Sequence, residues 1–151
     1  MAASPIVTHR DYFLKYSLSV GEYGAILVAL AFGGKKRPHG NKGFDIDTQV
    51  SGQPARVEVK SKLARTPGGK ATVVKCNANN FEEGAMTHLA VVLVDPETGW
   101  VTEGWLLTRT AAERLRRLST DSKYINANEV RRSADKQDIT ERLNASAARR
   151  V

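Results

Sequence analysis

Residues Gly43–Lys60 read Gly-Phe-Asp-Ile-Asp-Thr-Gln-Val-Ser-Gly-Gln-Pro-Ala-Arg-Val-Glu-Val-Lys, which predicts two β-strands joined by a tight turn at Ser-Gly-Gln-Pro. Side chains alternate between the two faces of a strand, so Glu58 and Lys60 share one face and the valines beside them point to the other. Asp45 lies at the start of the preceding strand. The hairpin is therefore expected to bring two acids and an amine together.

Two carboxylates and a backbone carbonyl make a hard oxygen site of the kind that Mg²⁺ prefers, and an ammonium beside it can orient a water or steady a phosphate. Asp47 competes with Asp45 as a ligand because it has the same strand parity. In the simpler interpretation, Asp45, Glu58 and Lys60 line the wet face of an antiparallel hairpin and pair across the strands. The spacing alone leaves these alternatives open.

The pattern resembles the PD-(D/E)XK nuclease superfamily, the restriction-endonuclease-like phosphodiesterases. The resemblance begins with Gly-Phe-Asp-Ile at 43–46 and Val-Glu-Val-Lys at 57–60, and the order of elements extends it to about residues 19–107. One departure is that Phe44, rather than proline, precedes Asp45. The implied fold is α/β, with a mixed central sheet flanked by helices in the core order αβββαβ.

The resemblance implies a divalent-metal-dependent endonuclease that hydrolyses DNA phosphodiester bonds and leaves a 5′-phosphate. Asp45, Glu58 and the Val59 carbonyl would hold Mg²⁺, with Mn²⁺ as an alternative, and Lys60 would position the attacking water. Asp45 is preferred to Asp47 because the superfamily carries this ligand at the strand start. A homodimer that cuts both strands is a further expectation by analogy.

Glu22 has two interpretations. Apolar residues recur at helical spacing from about Ser19 to Phe32, and Ser19-x-x-Glu22 is the spacing of a capping box at the start of that helix. Proteins of the superfamily often carry an acid on this helix that reaches the metal, which makes Glu22 a candidate catalytic residue as well. The spacing by itself favours capping.

Basic side chains follow this helix and the hairpin in two loops, Gly33–Gly43 and Leu63–Lys70. Cations in these loops can contact the nucleic-acid backbone, although a solvated loop is the simpler alternative. The family resemblance implies the same role for Lys62, on the strand between the loops. The candidate nucleic-acid contacts are Lys35, Lys36, Arg37, Lys42, Lys62 and Lys70.

Composition favours a polyanionic partner. The 151 residues carry 23 Lys and Arg against 16 Asp and Glu, a net charge of +7 at pH 7. The single cysteine, Cys76, excludes an internal disulfide and fits a reducing cytoplasm, and the three histidines lack the spacing of zinc ligands. No signal peptide or membrane-spanning run is recognisable, and neither a membrane nor a small-molecule cofactor is expected.

The length suits one domain, residues 1–151, with a core at about 19–107 and a C-terminal helical extension at about 108–151. Within the core, the pattern predicts a third strand over 71–76, a short helix ending near Met86, a strand His88–Val94 covered on both faces and a strand Trp100–Leu107. Two alternatives to a nuclease are a nucleic-acid-binding domain of the same fold without activity, and a basic interaction protein such as a ribosome-associated one.

Overall fold

A six-stranded mixed β-sheet with helices on both faces forms the centre of this computed structural model. The structure describes residues 7–16, 18–37, 44–64, 73–76, 78–82, 84–118 and 123–151. The helices are α1 (His9–Lys15), α2 (Val20–Ala31), α3 (Arg109–Leu118), α4 (Ala127–Arg132) and α5 (Thr140–Ala147), with a 3₁₀ helix at Ala78–Phe81. The strands are β1 (Lys35–Lys36), β2 (Ile46–Val50), β3 (Gln53–Leu63), β4 (Val73–Lys75), β5 (His88–Val94), β6 (Val101–Thr108), β7 (Tyr124–Asn126) and β8 (Gln137–Asp138).

The predicted hairpin is confirmed. β2 and β3 pair antiparallel, with Ile46 opposite Val57, and Ser51 and Gly52 form the turn. Both turn residues have positive φ, 51° and 78°, which matches the right-handed twist of the strands that they join. Glycine adopts this conformation without strain, which is why a two-residue turn fits here.

β3 also pairs in parallel with β5, and this pairing makes the sheet mixed. The sheet order is β1-β2-β3-β5-β6-β8, and all neighbouring pairs except β3–β5 are antiparallel. Alternate residues of β5 enter two separate cores, one under α2 and α5 and the other under α3, α4 and the β4–β7 ribbon. The prediction that His88–Val94 is covered on both faces is confirmed.

The predicted third strand lies outside the central sheet. β4 pairs with β7 in a separate two-stranded ribbon, because β5 occupies the place beside β3. Val74 and Cys76 are buried while Lys75 between them is exposed, so β4 lies as a second layer over one face of the sheet. The helix predicted to end near Met86 is shorter than expected: among the residues described between β4 and β5, the helical segment is the 3₁₀ helix Ala78–Phe81.

The segment predicted as a helical extension also contributes strands. β7 completes the ribbon, and β8 pairs with β6 at the edge of the central sheet. Leu143 and Ala147 of α5 are buried in the core under α2. Within the first basic loop, Lys35 and Lys36 form the short edge strand β1.

Two helix starts follow sequence signals. Ser19 caps α2 by accepting a hydrogen bond from the backbone N–H of Glu22 at 3.1 Å, which is the serine half of the predicted capping box. The Glu22 carboxylate forms an ion pair with Lys36. Helix α1, which the sequence interpretation did not include, begins with a capping box formed by Thr8 and Asp11. Among the helices of the described ranges, none combines the length and the apolar character needed to cross a membrane.

Candidate active site

Asp45 lies immediately before β2 and is anchored to β3 by two hydrogen bonds. Its backbone N–H donates to the Val57 carbonyl at 2.9 Å, and its carboxylate Oδ2 accepts from the Val59 backbone N–H at 2.8 Å. The N–H and C=O groups of one strand residue point to the same side. The Val59 carbonyl is therefore directed toward the same open end of the hairpin as the Asp45 side chain.

Glu58 lies opposite this anchor and is one of the buried polar or charged residues, with 8% of its surface exposed. Its carboxyl group shares a hydrogen bond with that of Asp45, and its Oε2 accepts a hydrogen bond from the side-chain amide of Asn80. Burial, followed by the bond to Asp45 and the Asp45 charge, raises the pKa of Glu58 to about 8. These surroundings therefore favour the protonated form of Glu58.

Lys60 projects from the same face of β3 as Glu58. Glu58 lies beside Leu89 of β5 and Lys60 lies beside Val91, and both of these β5 residues are buried in the same core, on one face of the sheet. Its ammonium is close enough to Glu58 for its charge to oppose the increase in the pKa of that acid. It has the same effect on the Cys76 thiol, although burial still raises the pKa of Cys76 to about 11. Cys76 is therefore a buried, neutral thiol.

Asn80 is the site residue that sequence reasoning missed. Asn80 is 4% exposed, and its side-chain amide donates to Glu58. Its position depends on how the 3₁₀ helix folds over the sheet. An uncharged polar residue between two apolar strands was the only signal in the sequence.

Asp47 and Glu22 have other partners. The Asp47 carboxylate pairs with Arg37 at 3.0 Å at the exposed edge of the hairpin, whereas Asp45 contacts Glu58. Glu22 forms an ion pair with Lys36, which is opposite Ile46 and therefore lies on the face covered by α2. The structure thus brings Asp45, Glu58 and Lys60 together and places the Glu22–Lys36 pair on the other face of the sheet.

The candidate nucleic-acid contacts fall into three groups. Lys35 and Lys62 are exposed, and their places in the strand registers put them on the face that carries Glu58. Lys36 and Arg37 are engaged by Glu22 and Asp47. Lys42 and Lys70 lie outside the described residues.

Four arginines of α3 and α4 form a separate set. They pair with acids of the same chain, which offsets part of their positive charge. The pairs are Arg114–Asp135, Arg117–Glu113, Arg131–Glu103 and Arg132–Glu129.

The donors at the hairpin are oxygens. In the described ranges, no group of three or more His, Cys, Asp or Glu side chains is arranged to hold a metal ion. Two carboxylates and one carbonyl nevertheless suit Mg²⁺, because this ion keeps several waters and often takes only one or two protein carboxylates. The donor set therefore fits Mg²⁺ or Mn²⁺ better than a softer metal.

Neither a scan against models of known protein families nor a search of curated proteins found a match to this chain. A fold alone does not determine an activity. A functional conclusion must therefore come from the chemistry of the hairpin and the residues around it.

Proposed function

We propose that this chain is a divalent-metal-dependent DNA endonuclease of the PD-(D/E)XK type. One observation carries the proposal: the carboxyl groups of Asp45 and Glu58 are in hydrogen-bond contact at the open end of a hairpin, with the Lys60 ammonium beside them. Two acids held this close repel each other when both are ionised. A divalent cation would relieve that repulsion.

Asp45 and Glu58 would hold Mg²⁺ or Mn²⁺, and the Val59 carbonyl is directed so that it can supply a third oxygen. When bound, the metal supplies Lewis-acid activation of a water and neutralises charge on the phosphate. Lys60 would hold the attacking water in line with the phosphorus and stabilise the charge that develops on the phosphoryl oxygens.

A restriction-endonuclease-like fold is part of the proposal. Helix α2, the β2–β3 hairpin and the parallel pairing of β3 with β5 support it, because they place the acids at one end of a mixed sheet that is flanked by helices. The separate β4–β7 ribbon departs from the expected order of three consecutive strands in one sheet.

DNA is the proposed substrate because the chain has a net charge of +7. Lys35 and Lys62 are exposed on the face that carries Glu58, and they form no ion pair with another described residue. Phosphates on either side of the scissile bond can therefore be contacted from the sheet face that carries Glu58.

The test is to incubate the purified protein with supercoiled plasmid, single-stranded DNA, branched DNA and RNA, in the presence of Mg²⁺, Mn²⁺ or EDTA. We expect metal-dependent cutting of DNA that is lost in Asp45→Asn, Glu58→Gln and Lys60→Ala. Two matched controls, Asp47→Asn and Lys75→Ala, should cut like the wild type. Metal-independent cutting, or full activity in Glu58→Gln, would refute the proposed mechanism.

A second candidate is a nucleic-acid-binding domain without catalytic activity. The burial of Glu58 and its hydrogen bonds to Asp45 and Asn80 favour it, because two hydrogen-bonded carboxyl groups can simply stabilise the hairpin. This candidate predicts salt-sensitive DNA binding that survives Asp45→Asn and Glu58→Gln, with no cutting at any metal concentration.

A further inference from the structure

The buried side chain of Asn80 forms a hydrogen bond with one carboxylate oxygen of Glu58. The residue is 4% exposed, and its amide Nδ2 donates to Glu58 Oε2 while the same carboxyl group contacts Asp45. An amide N–H can only donate, so this bond suits a carboxylate that accepts. The two contacts together restrict the rotation of a side chain that otherwise has three flexible torsions.

The segment that carries Asn80 is itself held in place. Phe81, the next residue, packs beneath the Arg116 guanidinium of α3, whose carbon is 4.6 Å from the ring centroid. Cys76, at the end of β4, is buried in the same core. Asn80 therefore reaches Glu58 from a second layer that packs on the sheet.

We propose that Asn80 is the positioning residue of this site, which fixes the Glu58 carboxylate so that it can bind the divalent cation. The inference rests on the proposed function. Asn80 touches neither substrate nor metal in this role and acts only through Glu58. Hydrogen-bond partners of metal ligands orient the ligand, and their loss weakens metal affinity by about 10- to 100-fold.

A purely structural role predicts something different. If Asn80 only fills its place and satisfies a buried polar group, its loss lowers stability and leaves the metal affinity of the folded protein unchanged. Metal affinity therefore separates the two roles, provided that each variant is measured well below its melting temperature.

The experiment compares Asn80→Ala and the shape-matched Asn80→Leu with Asn144→Ala in the full chain. Asn144 is a suitable control because its amide bonds the backbone of Val101 at 2.8 and 2.9 Å, in the β6–α5 contact. Mn²⁺ binding is measured by isothermal titration calorimetry without nucleic acid, and the Mn²⁺ midpoint for plasmid cutting is measured in parallel.

We expect the Mn²⁺ affinity of both Asn80 variants to fall by about tenfold or more, with the cutting midpoint shifted to match. Asn144→Ala should melt earlier than the wild type and bind Mn²⁺ equally well. Wild-type affinity in a folded Asn80 variant would overturn the inference and leave the proposed function intact. A wild-type protein that binds no Mn²⁺ and cuts nothing would overturn both.

Discussion

The Asp45 carboxylate accepts a hydrogen bond from the Val59 backbone N–H at 2.8 Å, so one side chain both closes the end of the hairpin and supplies half of the carboxyl pair. These two tasks can be separated by substitution, because asparagine retains an oxygen that can accept from Val59, whereas alanine does not.

Asp45→Asn is accordingly expected to fold nearly as well as the wild type while losing metal-dependent cutting. Asp45→Ala should lose the activity and also about 1–2 kcal/mol of the free energy of unfolding, because the Val59 N–H is left without its acceptor. Urea unfolding of both variants, with Asp47→Asn as the control, measures the difference. Equal stability of the two Asp45 variants would mean that the bond to Val59 contributes nothing to the fold.

Glu22 provides a second separation of roles. Its backbone N–H is bonded to Ser19, and its carboxylate pairs with Lys36 on the face under α2. Glu22→Gln keeps the N–H that Ser19 caps and removes a partly exposed ion pair, so we expect a loss of about 0.5 kcal/mol or less and unchanged cutting. Plasmid cleavage measures the activity, and Lys36→Met controls for loss of the pair. A folded Glu22→Gln protein that does not cut would instead assign Glu22 the catalytic role implied by the family resemblance.

The hairpin was predictable because its information is local. Alternation with a period of two assigns Glu58 and Lys60 to one face and Val57 and Val59 to the other, whatever the rest of the chain does. The Ser-Gly turn fixes the register that brings Asp45 next to Glu58. Strand His88–Val94 was equally predictable, because an apolar run of this length is typical of a strand buried on both faces.

The surroundings of the hairpin were not predictable in this way, because they depend on contacts between distant segments. The alternation of Val74, Lys75 and Cys76 fits a strand in the central sheet as well as a strand in the β4–β7 ribbon. These residues join the ribbon because β5 occupies the position beside β3. The contact from Asn80 to Glu58 follows from that choice. Strand β1 has only two residues and therefore no period from which the Glu22–Lys36 pair could be predicted.

Helix α2 packs tightly against β3 at Gly24. A methyl group at this position would lie 2.8 Å from the Ser61 Cβ and closer still to the Ser61 hydroxyl, whereas a methyl at Gly21 of the same helix would meet no atom within 4 Å. Gly24→Ala should therefore destabilise the protein by about 1–3 kcal/mol through overpacking. Gly21→Ala should instead stabilise it by up to about 1 kcal/mol through helix propensity.

Urea unfolding midpoints of these two glycine variants measure the contrast. The double variant Gly24→Ala/Ser61→Gly should recover part of the loss, because the serine atoms that clash are gone. If both single glycine variants shift the midpoint in the same direction by the same amount, the inference that α2 packs closely on β3 at Gly24 is wrong.

Glu58 should contribute less to the stability of the metal-free protein as the pH rises. Burial and the contact with Asp45 raise the pKa of Glu58 from 4.5 to about 8, so between these values the folded chain binds more protons than the unfolded chain. Raising the pH through this window therefore favours unfolding. His9 and His88, whose pKa values burial lowers, act in the opposite direction, so the effect of Glu58 must be measured as a difference.

Glu58→Gln provides that difference, because glutamine is neutral at every pH and its amide can still donate to Asp45. Unfolding free energies measured in EDTA between pH 5 and about 8.5 should fall more steeply with pH for the wild type than for Glu58→Gln. Mn²⁺ added near pH 8 should restore stability to the wild type only, because a cation that neutralises the carboxyl pair removes the repulsion that causes the loss. Parallel pH profiles for the two proteins would mean that the pKa of Glu58 is not raised in the folded protein. They would also mean that Asp45 and Glu58 do not repel each other in the absence of metal.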